Sequence, residues 1–126
     1  MKQPTSAATE VELASFVRAW ISLAAERGLE SALRELDEMR VQTVWSQTLF
    51  DSLTFNHFGD GKQPRISDPV GVGDLCVEVY RYDDGSGFAV DHDLPMDGKR
   101  SDFTVQFSFK REGPNMAVYL EDIHVL

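Results

Sequence analysis

The sequence predicts an α+β fold in which an N-terminal helical hairpin, extended by an optional third short helix, covers one face of a four-stranded antiparallel β meander. Three observations carry this expectation. Apolar residues recur at helical spacing from Leu13 to Ala24, and they alternate strictly from Phe103 to Phe109. Strand-like runs divided by turn signals then fill the chain from Leu75 onward. Strands with one apolar face need a cover, and paired helices supply it.

Residues 1–8 read as a flexible arm and 9–126 as a single α+β domain. Thr9 followed by Glu12 matches a capping box, in which each side chain satisfies the other residue's free amide. Leu13, Phe16, Val17, Trp20, Ile21 and Ala24 then form a wide apolar stripe, and Gly28 is placed to end the helix. Leu29, Leu33 and Leu36, with Met39 beyond them, share one face of a second helix. Arg34, Glu35, Asp37, Glu38 and Arg40 point outward from it. The short connection at Gly28 favours antiparallel packing. Within 41–55, Val44, Trp45, Leu49, Phe50 and Leu53 fit a third helix, although the threonine content also tolerates extended backbone. Residues 56–74 are dense in Gly, Pro and Asp and read as a long loop, either a plain crossover to the sheet or a functional segment.

The stretch 75–82 is rich in β-branched and aromatic residues, and Asp83-Asp84-Gly85-Ser86-Gly87 supplies a turn into a second strand over 88–94. Residues 95–101 make the next connection. Phe103, Val105, Phe107 and Phe109 alternate with Thr104, Gln106 and Ser108, a strand with one buried face. Burying those four apolar side chains contributes roughly 6–12 kcal/mol before entropy. Residues 111–115 turn the chain into the last strand, where Met116, Val118 and Leu120 share a face. The apolar parity then shifts to Ile123 and Val125, which predicts a bulge near Glu121 and Asp122.

At 126 residues, 42% hydrophobic and 26% charged, the chain suits one folded domain and argues against wholesale disorder. Its 21 acidic and 12 basic side chains give a formal net charge of −9. Like-charge repulsion makes nucleic acid and anionic membranes poor partners, so a basic protein partner, or none at all, fits better. Cys76 is alone, so no intramolecular disulfide is expected, which suits a reducing cytoplasm. No apolar stretch of signal-peptide or membrane-helix length is present, so the expected setting is the cytoplasm of a bacterial-type cell. No cofactor or metal is implied.

No catalytic motif is present. Asp91-His92-Asp93 invites acid–base or metal chemistry, but neighbours on a strand point to opposite faces, so His92 is separated from both carboxylates. Asp91 and Asp93 share the face opposite Phe88 and Val90; the default for such a pair is a solvated sheet face. His57 falls in the loop and His124 in the last strand. Cys76 on a strand reads as a small buried hydrophobe rather than a nucleophile. Gly71-x-Gly73 precedes a strand and is therefore no dinucleotide fingerprint. Charge patterning is more informative. From Tyr82 through Gly98 there is no Lys or Arg, yet Asp83, Asp84, Asp91, Asp93 and Asp97 all fall there. On a meander these form a stripe, either ordinary solubilising charge or a footprint for a basic partner.

Asp93, Leu94, Gly98, Ser101, Asp102, Thr104 and the terminal Asp122-Ile123-His124-Val125-Leu126 resemble a family of small uncharacterised bacterial proteins. These share a Gly-x-x-Ser-Asp-(Leu)-Thr turn and an Ile-His-Val-Leu end; Phe103 stands here at the usual Leu position. The resemblance implies no activity. Physically, Ser101 and Asp102 are suited to bonding nearby amides at the start of the third strand. The order of helices before meander is also similar to the cone-shaped family that includes nuclear transport factor two, whose sheet is longer. Two functions are therefore expected in competition. One is a protein-binding module, most concretely an immunity-type protein that occludes a toxin domain through Asp83, Asp84, Asp91, Asp93 and Asp97, with Trp45 as apolar anchor. The other is a ligand pocket or enzyme with a cavity between helices and sheet, lined by Trp20, Tyr80 and Phe107 and served by His92 and His124.

Overall fold

A computed structural model describes residues 1–37, 44–59 and 63–125. Helices α1 (Glu10–Arg27), α2 (Leu29–Leu33) and α3 (Gln47–Phe58) precede β1 (Val77–Arg81), β2 (Gly87–Met96), β3 (Lys99–Glu112) and β4 (Asn115–Val125). The four strands form one antiparallel sheet in the order β1-β2-β3-β4, with the helices on one face. This is the α+β architecture the residue periodicities predict.

Helix α1 begins where the capping box requires. Thr9 Oγ1 accepts the Glu12 N–H, and the Glu12 carboxylate accepts the Thr9 N–H, both at 3.2 Å. All six residues of the apolar stripe are buried. Gly28, at φ 92°, ends the helix and donates its N–H to the Ala24 carbonyl. Trp20 is fully buried and ties α1 to α2 by donating Nε1–H to the Ala32 carbonyl at 2.8 Å. The second helix is shorter than its periodicity suggests, and Leu36 lies past its end; Glu38, Met39 and Arg40 fall outside the described residues. Asp37 does not merely point outward. Its carboxylate accepts the Val118 N–H at 2.8 Å and its own N–H donates to the Val118 carbonyl at 2.9 Å.

The ambiguous segment is helical from Gln47, capped by Ser46 Oγ, which accepts the Leu49 N–H at 3.1 Å. This helix runs on through Phe58, so the first residues assigned to the loop are its last turn. Phe58 packs on the buried Phe103, with ring centroids 5.7 Å apart, and this contact extends the helix. Of the segment 41–55, residues 41–43 fall outside the described residues. The following loop is fastened to the sheet. Ile66 bridges Met96, Ser67 N–H donates to the Pro95 carbonyl at 2.9 Å, and Gly98 N–H donates to Ser67 Oγ at 2.6 Å. The arm at 1–8 is likewise fastened rather than frayed. Thr5 bridges Asn115, Met116 N–H donates to the Pro4 carbonyl, Ser6 N–H donates to the Pro114 carbonyl, and Ala8 is buried. The cause is the outer edge of β4, whose backbone groups need partners.

On the inner face Phe103, Val105, Phe107 and Phe109 are all fully buried. Phe16 and Trp20 of α1 meet Phe109 and Phe107 edge-to-face, at centroid distances of 5.7 and 5.0 Å. The expected bulge is present. Gln106 pairs with Asp122 while Phe107 pairs with Leu120, so Glu121 is the extra residue. The 95–101 connection is tighter than expected, because Met96 pairs directly with Lys99 across Asp97 and Gly98. Both turn residues have positive φ, 51° and 79°, the requirement of a two-residue I′ hairpin and the usual reason for Asp-Gly.

Gly87 opens β2 in a place no side chain fits. A Cβ there would lie 1.8 Å from the Phe109 carbonyl oxygen, so strand pairing has to part. Gly87→Ala is expected to cost about 2–4 kcal/mol in chemical denaturation. Gly73→Ala, in open space, serves as the neutral control.

Candidate functional site

Strand alternation decides which side chains reach the face away from the helices. Pairing of β2 with β3 sends Phe88, Val90 and His92 inward with Phe109, Phe107 and Val105. Ala89, Asp91 and Asp93 go outward with Ser108, Gln106 and Thr104. Across all four strands the outer face holds the row Glu78–Asp91–Gln106–Asp122, with Tyr80, Ala89, Ser108 and Tyr119 on one side of it. On the other side lie Asp93, Thr104 and His124. Among the described residues no helix packs there.

This face is polar but incompletely satisfied. Tyr82 Oη and Ser108 Oγ are hydrogen-bonded at 2.7 Å, and the Tyr80 hydroxyl bonds Glu78. His124 Nδ1 lies 3.1 Å from the Asp122 carboxylate. By contrast, Asp91 Oδ1 and Thr104 Oγ1 are buried atoms with no hydrogen-bond partner. Thr104 as a whole is only 3% exposed. Burial, reinforced by the Glu78 charge, pushes the Asp91 carboxyl above its ordinary range, and Gln106 and His124 offset this only in part. Beside these residues Asp93, Arg100, Ser101, Asp102 and Thr104 line a shallow groove of about 320 Å³.

The acidic stripe expected from the sequence is dismantled by the fold. Asp83 and Asp84 are exposed in the β1–β2 turn, where Asp84 accepts the Ser86 N–H at 2.9 Å and is held below its ordinary pKa by Ser86. Asp93 is 5% exposed; its carboxylate accepts the Cys76 N–H at 2.7 Å and pairs with Arg100 at 3.1 Å. Asp97 accepts the Arg65 N–H at 3.0 Å and so holds the loop to the β2–β3 turn. Trp45 packs half-buried against the core ahead of α3 and is not a projecting anchor, although its Nε1 finds no partner. Asp91 stays partly accessible on the open face, hydrogen-bonded to Gln106 and, among the described residues, without an ion pair to Lys or Arg.

The alternative pocket is not assembled either. Trp20 and Phe107 are in ring contact with no cavity between them. Tyr80 is 46% exposed on the outer face, and His124 lies on that face as well, because the Glu121 bulge turns it away from the core. His92 does face inward, 3% exposed, and donates Nδ1–H to the Asp93 carbonyl at 2.6 Å. Cys76 is exposed, because β1 is the edge strand and its start is uncovered. His57 belongs to α3 and pairs with Asp102 at 3.1 Å, its ring 5.1 Å from that of Phe103. Ser101 bonds backbone as expected, donating to the Leu94 carbonyl at 2.5 Å and accepting the Phe103 N–H at 3.1 Å. It pins the irregularity where residues 101–103 face Leu94 alone.

Residues 72–126 match the family model of a domain of unknown function, DUF7668. The match takes in all four strands and leaves out the helices. No curated protein and no solved structure matches the chain. Among the described residues no three His, Cys, Asp or Glu side chains gather as a metal site, and no helix is long and apolar enough to cross a membrane. Glu78, Thr104, Gln106 and Asp122 were not singled out as one patch by composition. The register that aligns them was the missing signal.

Two titrations test this geometry. Burial depresses the His92 pKa below its ordinary 6.5, with Arg18 adding to the effect and the Asp93 carbonyl and carboxylate opposing it. Between 6.5 and the lower folded value the unfolded chain binds a proton that the native chain does not. Stability therefore falls on acidification through that window, and His92→Gln is expected to flatten the plot of urea midpoint against pH from about pH 7 to about pH 5. Asp91 has the opposite sign, since its raised pKa makes the native state the better proton binder at acid pH. At pH 7 the ionised carboxylate is a cost that its Gln106 hydrogen bond offsets only in part, so Asp91→Asn is expected to raise the stability read from thermal unfolding, by an amount on the order of 1 kcal/mol or less.

Proposed function

We propose that this chain is a non-catalytic protein-binding module of the immunity type, which occludes a basic partner, such as a toxin domain, with the outer face of its sheet. The observation that carries this reading is the outer-face row in which Glu78, Asp91 and Asp122 stand in register across the sheet with no Lys or Arg in the row. Neighbouring carboxylates such as Glu78 and Asp91 repel one another, a cost relieved when a partner brings an ammonium or guanidinium group. Glu78, Asp91, Glu121 and Asp122 supply the negative field, and Asp83 and Asp84 extend it at one end. The tyrosines Tyr80, Tyr82 and Tyr119 beside them are the side-chain type that interfaces favour. Among the described residues nothing converges into a reacting centre: His57, His92 and His124 each bond a different group, and the inner face is filled by packed rings.

The test is co-expression with the product of the adjacent reading frame, followed by stopped-flow association of the purified pair. Glu78→Lys with Asp91→Lys is expected to slow association about tenfold or more at low salt and to flatten its salt dependence. Unchanged rate and unchanged salt dependence would falsify the reading.

A further inference from the structure

The two edges of the sheet are treated differently. From Asn115 to Val118 the edge of β4 is closed by the arm and by Asp37. Met116 N–H reaches Pro4, and Val118 uses both its N–H and its carbonyl on Asp37. Among the described residues the edge of β1 has no such cover. Tyr82 N–H donates to Gly87 and Asp93 N–H donates to Cys76, each at 3.0 Å, which fixes the phase of the β1–β2 ladder. Residues 76, 78, 80 and 82 turn their backbone groups toward β2, and Val77, Val79 and Arg81 turn theirs away. No hydrogen bond among the described residues satisfies those three N–H and three C=O groups.

We propose that this free edge receives an extended, cationic segment of the partner as a fifth strand. The proposal rests on the basic-partner reading above and adds the mode of docking. Main-chain bonds to Val77, Val79 and Arg81 supply affinity, and alternate side chains of the added strand supply specificity. The chemistry around the edge selects the occupant. Glu78 projects from the middle of β1 onto the outer face with Asp91 directly behind it, Asp74 precedes the strand, and Asp83 and Asp84 follow it. The one cation of the strand, Arg81, is turned inward, its guanidinium 5.7 Å from the Phe88 ring centroid. The outward-facing residue of an added strand that lies beside Glu78 therefore meets carboxylate, and a lysine or arginine there is matched. A second copy of this chain is a poor occupant, since it brings a further charge of −9 to an acidic edge. At five residues β1 is also too short and too charged to template pairing indiscriminately, so charge decides what adds.

Amide hydrogen exchange of the isotope-labelled full chain tests this, with an acetylated peptide of about eight residues alternating lysine and valine as probe. The expected result is that exchange at Val77, Val79 and Arg81 slows about tenfold or more with this peptide and is unaffected by its glutamate–valine counterpart. Val79→Pro removes an outward N–H while sparing the ladder to β2, and is expected to abolish the protection with an unchanged circular dichroism spectrum. Should that variant fail to fold, Glu78→Lys replaces it and is expected to reduce the protection at least about tenfold. Protection that is absent, equal for both peptides, or dependent on protein concentration without peptide overturns strand addition. If charge reversal slows the true partner while Val79→Pro leaves its affinity intact, the docking mode falls and the basic-partner reading stands.

Discussion

The structure depends on one interface, where a surface of period two meets a surface of period 3.6. Phe103, Val105, Phe107 and Phe109 stand in line on β3, and Leu13, Phe16, Val17 and Trp20 lie across them from α1. Phe109 and Phe107 each meet a ring of α1, Phe103 meets Phe58 of α3, and Trp20 places its one polar atom on the Ala32 carbonyl instead of leaving it bare in the core. Because β3 is central, its phase propagates through hydrogen bonding to β2 and β4, and from β2 to β1. A slip by one residue would expose four large apolar side chains at once. The phase of every outward-facing residue is thus a consequence of the inner packing.

Much of this was legible in the chain because it rests on local rules. The capping box at Thr9, the stop at Gly28, the alternation of β3 and the parity break at Glu121 are each written within a few residues. What was not legible is carried by contacts of long sequence separation. Asp37 looks like one more surface acid of a helix until it is found bonded to Val118. His57 looks like a loop residue until α3 continues over Phe103 and brings it to Asp102. The arm looks frayed because nothing within it suggests that an open strand edge waits for it.

The candidate site failed to be legible for a related reason. Counting carboxylates along 82–98 weights Asp91, Asp93 and Asp97 equally, yet the fold assigns them different work. Asp93 is consumed by the Cys76 amide and Arg100, and Asp97 by the Arg65 amide and a left-handed turn. Residues from outside the counted run, Glu78 and Asp122, join Asp91 instead, because register and not sequence proximity makes neighbours across a sheet.

That division of labour bears on why Asp91 and Thr104 are tolerated at all. A domain of this size has little stability to spare, and a half-buried carboxylate with one oxygen left without a donor opposes folding. The cost is borne by the best-supported part of the molecule: both residues sit on strands whose opposite faces are packed aromatic core. Placed on β1, where exposed Val77 and Tyr80 leave the strand weakly held, the same defect would be expected to loosen the edge. The fold thus concentrates unmet hydrogen-bonding capacity on its rigid centre and open backbone on its least-held strand. On the proposed reading, a partner approaching from the β1 side meets the outer-face carboxylates on a rigid centre and, beside them, an edge able to adjust to the incoming chain.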